Sequence, residues 1–442
     1  MSGCVPLLDE VLKQPTVGRP HFDSAESTWL AQLRQSERAV LAREGLPDRH
    51  NEAWKYTSLR ALAQQRFAIG DREAGQRPVS ETELHLPGID GPRIVFVHGV
   101  FRADLSSLQE MPAGLEVTTL GQALSTGAAS LRSWMQRPIA DGAAAFERIN
   151  LVMATDGVSL QVQAGFHIEA PVHLLYLGSE TDTQLAWHAR ARIELGAGAE
   201  LSLVEHYAGS SRSEQFATVV SDIRVHEDAR LQLIQIQHAA EATTLVRHER
   251  FRLASRARVG MHTIEMGGVL VRHEIETLLE GEGAIFDTCG LFVPQGRQHV
   301  DIRLDIRHQA RDTRSNATWR GIADQRGHGV FHGGIVIERG ADGADARLHN
   351  KNLLLSDQAE IDTQPVLEIY ADEVQAAHGA TVGQINEQAL FYLRSRGLPL
   401  AAARRLLMVA FCREILEGIS PPSLREYLAE RLTQHLPLSI KG

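Results

Sequence analysis

A long central series of short alternating strands, entered by similar turns, most constrains how this chain can fold. From about Gly157 to Gly383, apolar and polar residues alternate in short runs without a long helical pattern between them. Many of these runs follow a small or acidic pair and then an alanine, at positions 199, 229, 257, 284 and 359. The spacings are 30, 28 and 27 residues, followed by a gap of 75. This pattern indicates a degenerate repeat with an insertion or weaker copies in the gap.

Two all-β architectures are compatible with this repeat. In a β-solenoid, alternate side chains fill an inner column, the others face solvent, and small residues permit the corners. A β-sandwich also has short strands at regular spacing. The recurring small residue before each run favours coils stacked along one axis. We therefore expect a mainly β protein with a β-solenoid core.

The composition limits the kinds of site that the chain can form. Its 442 residues include three cysteines, Cys4, Cys289 and Cys412, and none belongs to a CxxC pair. This pattern suggests neither a disulfide framework nor a zinc ribbon, and it fits a reducing compartment. The net charge is −10, and there is neither a polybasic block nor an apolar run of membrane-spanning length. We expect a soluble, cytoplasmic protein that binds neither nucleic acid nor membrane.

Changes of pattern divide the chain into four regions. Residues 1–92 are predicted to be an N-terminal helical region, residues 93–156 a mixed connecting region, residues 157–383 the β-helix core and residues 384–442 a C-terminal helical domain. In the last region, the apolar run from Leu406 to Phe411 is wider than one solvent-facing helix should carry. It is expected to pack against a companion helix or against a partner.

The motifs argue against phosphate and cluster chemistry in this chain alone. A Walker A loop needs glycine-supplied backbone amides followed by lysine and serine or threonine, and the sequence contains no such loop. If ATP is used, another polypeptide must bind it. A self-contained iron–sulfur cluster needs about four thiolate ligands, which three isolated cysteines cannot supply. Cys289 and Cys412 are interpreted as buried packing residues.

Histidines are plentiful in the later strands, and neutral imidazoles are ligands for borderline metals. His328 and His332 are four residues apart, a spacing that converges on one face only in a helix, whereas the sequence around them predicts turn and strand. Most of these histidines are therefore interpreted as surface or core residues. His378 is the exception, because it lies at the junction between the strands and the C-terminal helices. The set comprises His299, His308, His328, His332, His349 and His378.

Carboxylates in the same strands leave an enzymatic alternative open. A β-helix enzyme that acts on a polysaccharide presents clustered Asp and Glu on one solvent-facing strand surface. Most of the carboxylates here alternate with arginines, as on a solvated sheet face. They are Asp301, Asp305, Glu338, Asp342, Asp345, Glu360, Asp362 and Glu368.

Three linked blocks between Gln364 and Gly397 carry a family resemblance. QPVLEIYADEV, HGATVG and FYLRSRG resemble the C-terminal signature of the SufD family, non-ATPase subunits of the Suf (SufBCD) iron–sulfur cluster assembly complex. Further matches lie at Asn51 to Leu59 (NEAWKYTSL) and at Arg347 to Leu353 (RLHNKNL), so the resemblance covers most of the chain. It implies a right-handed parallel β-helix core with α-helical regions at both ends.

The resemblance also implies how such a chain works. It would be a non-catalytic scaffold subunit of an ATP-driven complex, pair with a SufB-like homologous subunit and dock a SufC-like ABC ATPase through the C-terminal helical domain. Leu406, Leu407 and Phe411 are the docking candidates. His378 would serve cluster assembly at the subunit interface, and it is the candidate metal ligand. SufD-like chains often carry a cysteine two residues before this histidine, where this chain has Ala376.

The expected cofactor state follows from the same resemblance. No cofactor would be bound stably by this chain alone, and an iron–sulfur cluster would be present transiently at the subunit interface. Two alternatives stay open. One is a cytoplasmic β-helix polysaccharide hydrolase or lyase, and the other is a self-associating scaffold that acts without the ATPase, with a homodimer of the isolated chain.

Overall fold

The core of the protein is a parallel β-solenoid of about 8 turns. The structure is a computed structural model that describes residues 5–13, 28–70, 72–109, 111–125, 132, 134–139, 144–154, 156–210 and 212–436. The first strands are β1 (Ala68–Ile69), β2 (Arg93–Val97), β3 (Val100–Phe101), β4 (Leu115–Thr119), β5 (Asp156–Val162), β6 (His167–Gly178), β7 (Leu185–Leu195), β8 (Glu200–Gly209), β9 (Gln215–Val225) and β10 (Arg230–His238). They are followed by β11 (Thr243–Leu253), β12 (Arg258–Glu265), β13 (Leu270–Leu279), β14 (Ile285–Phe292), β15 (His299–His308), β16 (Arg314–Ala323), β17 (His328–Ile337), β18 (Asp345–Leu354), β19 (Glu360–Ile369) and β20 (Gln375–Gly383).

Helices precede and follow these strands. A 3₁₀ turn covers Glu52–Trp54. In chain order the α-helices are α1 (Pro6–Lys13), α2 (Thr28–Glu44), α3 (Arg60–Ala63), α4 (Arg72–Gly75), α5 (Glu81–Leu84), α6 (Leu120–Ser125), α7 (Ala145–Met153), α8 (Glu387–Ser395), α9 (Leu400–Glu417) and α10 (Pro422–His435). Among the described residues, none of the helices combines the length and apolarity needed to cross a membrane.

Successive strands alternate between two sheets, so that one strand of each sheet makes a turn. Sheet 1 has the order β4-β5-β7-β9-β11-β13-β15-β17-β19, with β1 beside β7, and sheet 2 has the order β3-β2-β6-β8-β10-β12-β14-β16-β18-β20. Within the turns the pairing is parallel and in register, as between β11 and β13 from Thr244 opposite Leu270 to Leu253 opposite Leu279. The preference for a solenoid over a sandwich is therefore confirmed.

The corners before the strands of sheet 2 explain the repeat in the sequence. Six of these corners, those before β8, β10, β12, β14, β16 and β18, have a residue in the left-handed region, with φ between 56° and 79°, followed by a buried small residue. Glycine tolerates this conformation without a steric cost, and aspartate adopts it more readily than most residues. The left-handed amide also donates to a carbonyl of the next turn, as from Gly198 to Glu227 at 2.8 Å. The corner pairs are Gly198–Ala199, Asp228–Ala229, Arg256–Ala257, Gly283–Ala284, Asp312–Thr313 and Gly343–Ala344.

Of the two explanations for the gap of 75 residues between Ala284 and Ala359, weaker copies of the repeat are confirmed rather than an insertion. Thr313 and Ala344 occupy the same corner at spacings of 29 and 31 residues. Ala359 instead precedes β19, which belongs to sheet 1. Thr313 is tolerated at a buried corner because its hydroxyl lies 2.9 Å from Nδ1 of His308 and donates to the Ala310 carbonyl.

The N-terminal helices cover the outer face of sheet 1. Helix α7 packs Phe146 against Phe216 of β9, with ring centroids 6.0 Å apart. The segment NEAWKYTSL lies further along the same face. The guanidinium of Arg272 lies 3.7 Å from the ring centroid of Trp54, and the hydroxyl of Thr57 donates to Asp301 at 2.5 Å. These contacts attach the N-terminal region to the later turns of the solenoid.

The C-terminal helices cover the outer face of sheet 2. Met408, Cys412 and Ile415 of α9 are buried in one apolar cluster with Ile264 and Leu291 of the sheet. Burying a side chain of this size contributes about 1.5–3 kcal/mol relative to leaving it in water. Within the apolar run from Leu406 to Phe411, only Met408 is buried, and the remaining residues are half-buried or exposed.

A ladder of three histidines connects sheet 2 to α10. Nη2 of Arg431 lies 3.4 Å from Nε2 of His238, Nδ1 of His238 lies 3.4 Å from Nε2 of His206, and Nδ1 of His206 lies 3.4 Å from Nε2 of His173. Because a guanidinium can only donate, His238 and His206 each accept at Nε2 and donate from Nδ1. This arrangement requires neutral imidazoles.

Burial keeps the ladder neutral. Burial and the nearby Arg93 and His85 lower the pKa of His173 to about 3. Burial, Arg431 and His435 lower the pKa of His238 to about 4, and burial with its two histidine neighbours holds the pKa of His206 well below its usual value. The unfolded chain takes up protons near pH 6.5. The ladder thus contributes full stability above pH 6.5 and loses it as the pH falls.

We expect the His206→Gln variant to show a weaker loss of stability in acid than the wild-type chain. One histidine that stays neutral in the fold reduces the free energy of unfolding by about 1–2 kcal/mol between pH 7 and pH 5. Guanidinium denaturation at both pH values measures the difference. His349→Gln, at an exposed position of β18, is the control and should keep the wild-type slope. Equal pH slopes for wild type and His206→Gln would contradict the assignment.

Candidate functional site

The solenoid ends on two strands whose outer edges are unpaired within the described part of the chain. β19 is at the end of sheet 1 beside β17, and β20 is at the end of sheet 2 beside β18. The opposite end is closed differently, because β3 and β4 pair antiparallel with β2 and β5. A free strand edge presents N–H and C=O groups that lack ladder partners. The last turn therefore offers two edges for pairing.

Apolar side chains surround these edges. Ile369 at the end of β19 is 43% exposed, the adjacent Tyr370 is 56% exposed, and Val382 near the end of β20 is 43% exposed. Large exposed apolar side chains are common on surfaces where chains associate. The last turn combines this property with its unpaired edges.

His378 lies in β20 at the mouth of the interior column. It is in register with Leu348 of β18, which is buried in the solenoid interior. In-register residues of neighbouring strands share a face of the sheet, so His378 continues the interior column. It is nevertheless exposed, because it belongs to the final turn. Ala376 is in register with Ala346 and packs partly against the core.

A buried amide network holds the last turn in place. The side-chain carbonyl of Asn350 accepts hydrogen bonds from Nδ2 of Asn352 at 2.5 Å and from the hydroxyl of Thr363 at 2.8 Å. Nδ2 of Asn352 also lies 3.1 Å from the backbone carbonyl of Thr381. Both asparagines belong to the RLHNKNL block. They connect β18 to β19 and β20, and thereby fix the two free edges relative to each other.

A cluster of charged residues in the middle of the solenoid interior was missed by sequence reasoning. Arg247 forms a buried ion pair with Glu265, and its Nη2 lies 2.9 Å from Nδ1 of His273. Nε2 of His273 lies 3.1 Å from Glu249. Oε2 of Glu205 accepts from the amide of Gln235 at 2.8 Å. The sequence signal is a charged residue at an inward position of an apolar alternation, which is recognisable only once the inward face is known.

Within this cluster the pKa values of Glu205 and His273 are raised. Burial and the nearby Glu249 raise the pKa of Glu205 to about 7. Burial and Arg247 oppose protonation of His273, yet Glu249 and Glu265 outweigh them and raise its pKa. We interpret the cluster as a structural element of the core.

The other histidines of the later strands fall into separate environments. His308 is buried between the hydroxyls of Thr313 and Ser315, at 2.9 and 2.8 Å. His332 lies 3.4 Å from Asp305, and His349 is exposed. Among the described residues, His378 is not part of any group of three potential metal ligands.

The cysteines described by the structure lie where thiolates are disfavoured. Burial and the nearby Asp287 and Glu414 raise the pKa of Cys289 to about 11. Burial raises the pKa of Cys412 to about 12. Cys412 is fully buried, as predicted, and Cys289 is half-buried under α9. Cys4 lies outside the described residues.

The three docking candidates of α9 differ in exposure. Leu406 is 49% exposed, whereas Leu407 and Phe411 are half-buried. The preceding helix α8 contributes a larger exposed apolar surface that sequence reasoning did not single out. Phe391 is 75% exposed and Tyr392 is 57% exposed. Helices α8 and α9 pack against each other, and we call Phe391, Tyr392 and Leu406 the helical patch.

Most of the carboxylates considered for hydrolysis have basic partners. Asp301 is buried against Arg272, and Asp345 pairs with Arg347 at 3.0 Å. Glu338 lies 3.9 Å from Arg307. The pair of Asp301 and Arg272 is buried, whereas the other two pairs lie on the solvated surface of the solenoid.

Two protein-family models match the chain. One is described as the SufBD core domain of the SUF system for FeS cluster assembly and matches residues 177–411. The other is the N-terminal region of SufBD proteins and matches residues 18–174. Together they cover nearly the whole solenoid, the helices from α2 to α8 and the first part of α9.

Curated relatives match between 63% and 94% of the chain. The iron–sulfur cluster assembly protein SufD of Escherichia coli is 30% identical over 422 residues, which cover 94% of this chain and 96% of that protein. An iron–sulfur cluster assembly SufBD family protein of Synechocystis is 28% identical over 417 residues, 92% of this chain and 91% of the relative. SufD of Bacillus subtilis is 25% identical over 285 residues, 63% of this chain and 64% of the relative. On this similarity, the chain belongs to the SufBD family of iron–sulfur cluster assembly proteins.

Proposed function

We propose that the chain is a SufD-type, non-catalytic scaffold subunit of an ATP-driven iron–sulfur cluster assembly complex in the cytoplasm. The observation that carries the proposal is the open last turn, which has two unpaired strand edges and also exposes apolar side chains. The similarity to SufD of E. coli over 94% of the chain supports the same function.

The open turn is suited to a partner that also ends in strands. Edge strands associate by adding a strand from another chain, which supplies the missing hydrogen bonds while side-chain contacts give selectivity. A homologous SufB-like solenoid has the same kind of end and therefore fits both edges. Ile369, Tyr370 and Val382 would then be buried in the interface. The pairing also protects edges that are otherwise open to aggregation.

The helical patch is suited to an ABC-type ATPase. Phe391, Tyr392 and Leu406 expose large apolar groups on two helices that pack together, and aromatic residues are enriched in the centres of interfaces. Residues 384–386 alone separate β20 from α8, and Asn386 caps that helix by accepting from the Ala389 amide at 2.9 Å. A displacement of the helices on ATP binding by the partner would therefore reach β20 directly.

His378 would bind the nascent iron–sulfur cluster at the subunit interface. The nascent cluster is the substrate of the complex, and this chain supplies one imidazole at the mouth of the interior column. The described cysteines are protonated at neutral pH, so most thiolate ligands would come from the SufB-like partner. Ala376 leaves His378 without a neighbouring thiol two residues earlier.

The arginine partners of the strand carboxylates favour this proposal over a polysaccharide hydrolase or lyase. Glycoside hydrolysis needs two carboxyl groups that flank the substrate, whereas these carboxylates are engaged with arginines. Self-association through the last turn is the remaining alternative, since a second copy of the chain offers the same edges.

The double variant Ile369→Lys, Val382→Lys should lose binding to the SufB-like subunit. Two charges placed among apolar contacts weaken an interface by about 1.4 kcal/mol or more, which is about tenfold in affinity. Co-purification and native mass measurement of the reconstituted complex detect the loss. Val269→Lys, at a residue with similar 40% exposure elsewhere on the solenoid, should bind normally. Recovery of homodimers in preference to the mixed complex would support the self-associating alternative.

The double variant Phe391→Glu, Leu406→Glu should lose binding to the ATPase while still pairing with the SufB-like subunit. The expected loss is again about tenfold or more, because these side chains contribute little to the folded monomer. Surface plasmon resonance with the purified ATPase measures it. The variant altered at Ile369 and Val382 is the reciprocal control. Unchanged ATPase affinity in a folded variant would place the docking surface elsewhere.

His378→Ala should assemble into the complete complex yet form about tenfold less cluster, since one ligand at the interface is removed. Anaerobic reconstitution followed by absorbance spectroscopy of the cluster provides the measurement. His349→Ala, exposed on the neighbouring strand, is the matched control. An unchanged cluster yield for His378→Ala in the intact complex would exclude this residue from the mechanism.

A further inference from the structure

A second group of potential ligands lies on the outer face of sheet 1, away from His378. His328 begins β17, and Glu360 and Asp362 lie in β19. His328 is directly opposite Glu360 in the ladder. Nε2 of His328 lies 2.8 Å from Oδ2 of Asp362, and one ligand atom from each of the three residues lies within 4.8 Å of the other two. The three side chains therefore converge on one point.

The charges of this group are not balanced within the described residues. Asp362 has the imidazole of His328 as its ion-pair partner, and no arginine or lysine among the described residues pairs with Glu360 or Asp362. Other carboxylates of the same region do have such partners, as Glu338 has Arg307. A single imidazole cannot neutralise two carboxylates. A divalent cation would.

The neighbouring turn holds His328 in place. The rings of His299 and His328 meet edge to face, with centroids 4.5 Å apart. The hydroxyl of Thr57 donates its one hydrogen to Asp301, so it accepts from Nε2–H of His299 at 2.9 Å. The N-terminal segment thus fixes the ring against which His328 packs.

We propose that His328, Glu360 and Asp362 bind a divalent first-row transition metal ion. One imidazole nitrogen and two carboxylate oxygens, without a thiolate, suit Mn²⁺, Fe²⁺, Co²⁺ or Zn²⁺. Such ions bind these donors at about 2.0–2.2 Å, and Glu360 is exposed and free to adjust its rotamer. Three protein ligands leave further coordination positions for water or another ligand.

The site joins the last two strands of sheet 1. His328 belongs to β17, and the carboxylates belong to β19, which is held on one edge only. A bound ion therefore stabilises the native last turn, and the melting temperature rises as the free ion concentration exceeds the dissociation constant. This site is separate from His378, which lies in β20 of the other sheet.

Equilibrium dialysis of the untagged chain against Co²⁺, followed by thermal melting, tests the proposal. The wild-type chain should bind one equivalent and melt at a higher temperature with Co²⁺ than with EDTA. Asp362→Asn and Glu360→Gln should each weaken Co²⁺ binding by about tenfold or more and remove the thermal shift. Both substitutions preserve shape on the protein surface, and circular dichroism verifies the fold.

The matched control is Asp305→Asn. Asp305 lies 3.4 Å from His332 on the same two-sheet solenoid, in a histidine–carboxylate pair outside the three-ligand group. It should leave Co²⁺ affinity unchanged. The proposal is overturned if the wild-type chain binds no stoichiometric Co²⁺, or if Asp305→Asn weakens binding as much as Asp362→Asn does.

Discussion

Parallel backbone pairing between successive turns is the interaction on which the rest of this structure depends. Each inner strand satisfies its N–H and C=O groups with the turn before it and the turn after it, in a constant register. The corners repeat the same principle, because the left-handed residue of one turn donates to the next. Stacking of this kind has a direction and an end. At the end, β19 and β20 retain the same hydrogen-bonding capacity without a following turn.

The two outer faces of the solenoid are used differently. Sheet 1 is covered by the N-terminal helices and by the segment containing Trp54, which stacks on Arg272. Sheet 2 is covered by the C-terminal helices, with Cys412 at the centre of their contact. Only a short connection separates β20 from α8. A partner on the helices and a partner on the last turn would therefore be coupled through a few residues of backbone.

The interior is not uniformly apolar, and its charged cluster illustrates a constraint of long solenoids. Four fully buried side chains form ion pairs with one another: Arg247 with Glu265, and His273 with Glu249. Removing one partner from such a group leaves an uncompensated buried charge, which costs about 3–5 kcal/mol. The group lies several turns from His378. We infer that this charged group fixes the register between neighbouring turns. A shift of one strand would separate Arg247 from the carboxylate of Glu265.

The sequence by itself determined the repeat, because a left-handed corner followed by a buried small residue is a local requirement that each copy must meet. The sequence also predicted that helices precede and follow the strands. The HGATVG block placed His378 at the junction between the strands and the C-terminal helices. Sequence spacing misassigned Ala359, since alternation is the same in both sheets and cannot tell one corner from the other. It also gave no reason to connect His328 with Asp362, which are 34 residues apart.

Only the tertiary structure showed which corner Ala359 occupies and that His328 lies beside Asp362. Neighbours in a solenoid are one full turn apart, so the groups that meet on a face are separated by about as many residues as a turn contains. The inward or outward direction of Arg247 and Glu249 depends on which face of the strand meets the core, and polar residues do not reveal that face locally. The open edges of the last turn follow from the same geometry. The local sequence specifies the conformation of each turn, whereas the order in which the turns stack leaves β19 and β20 with unpaired edges.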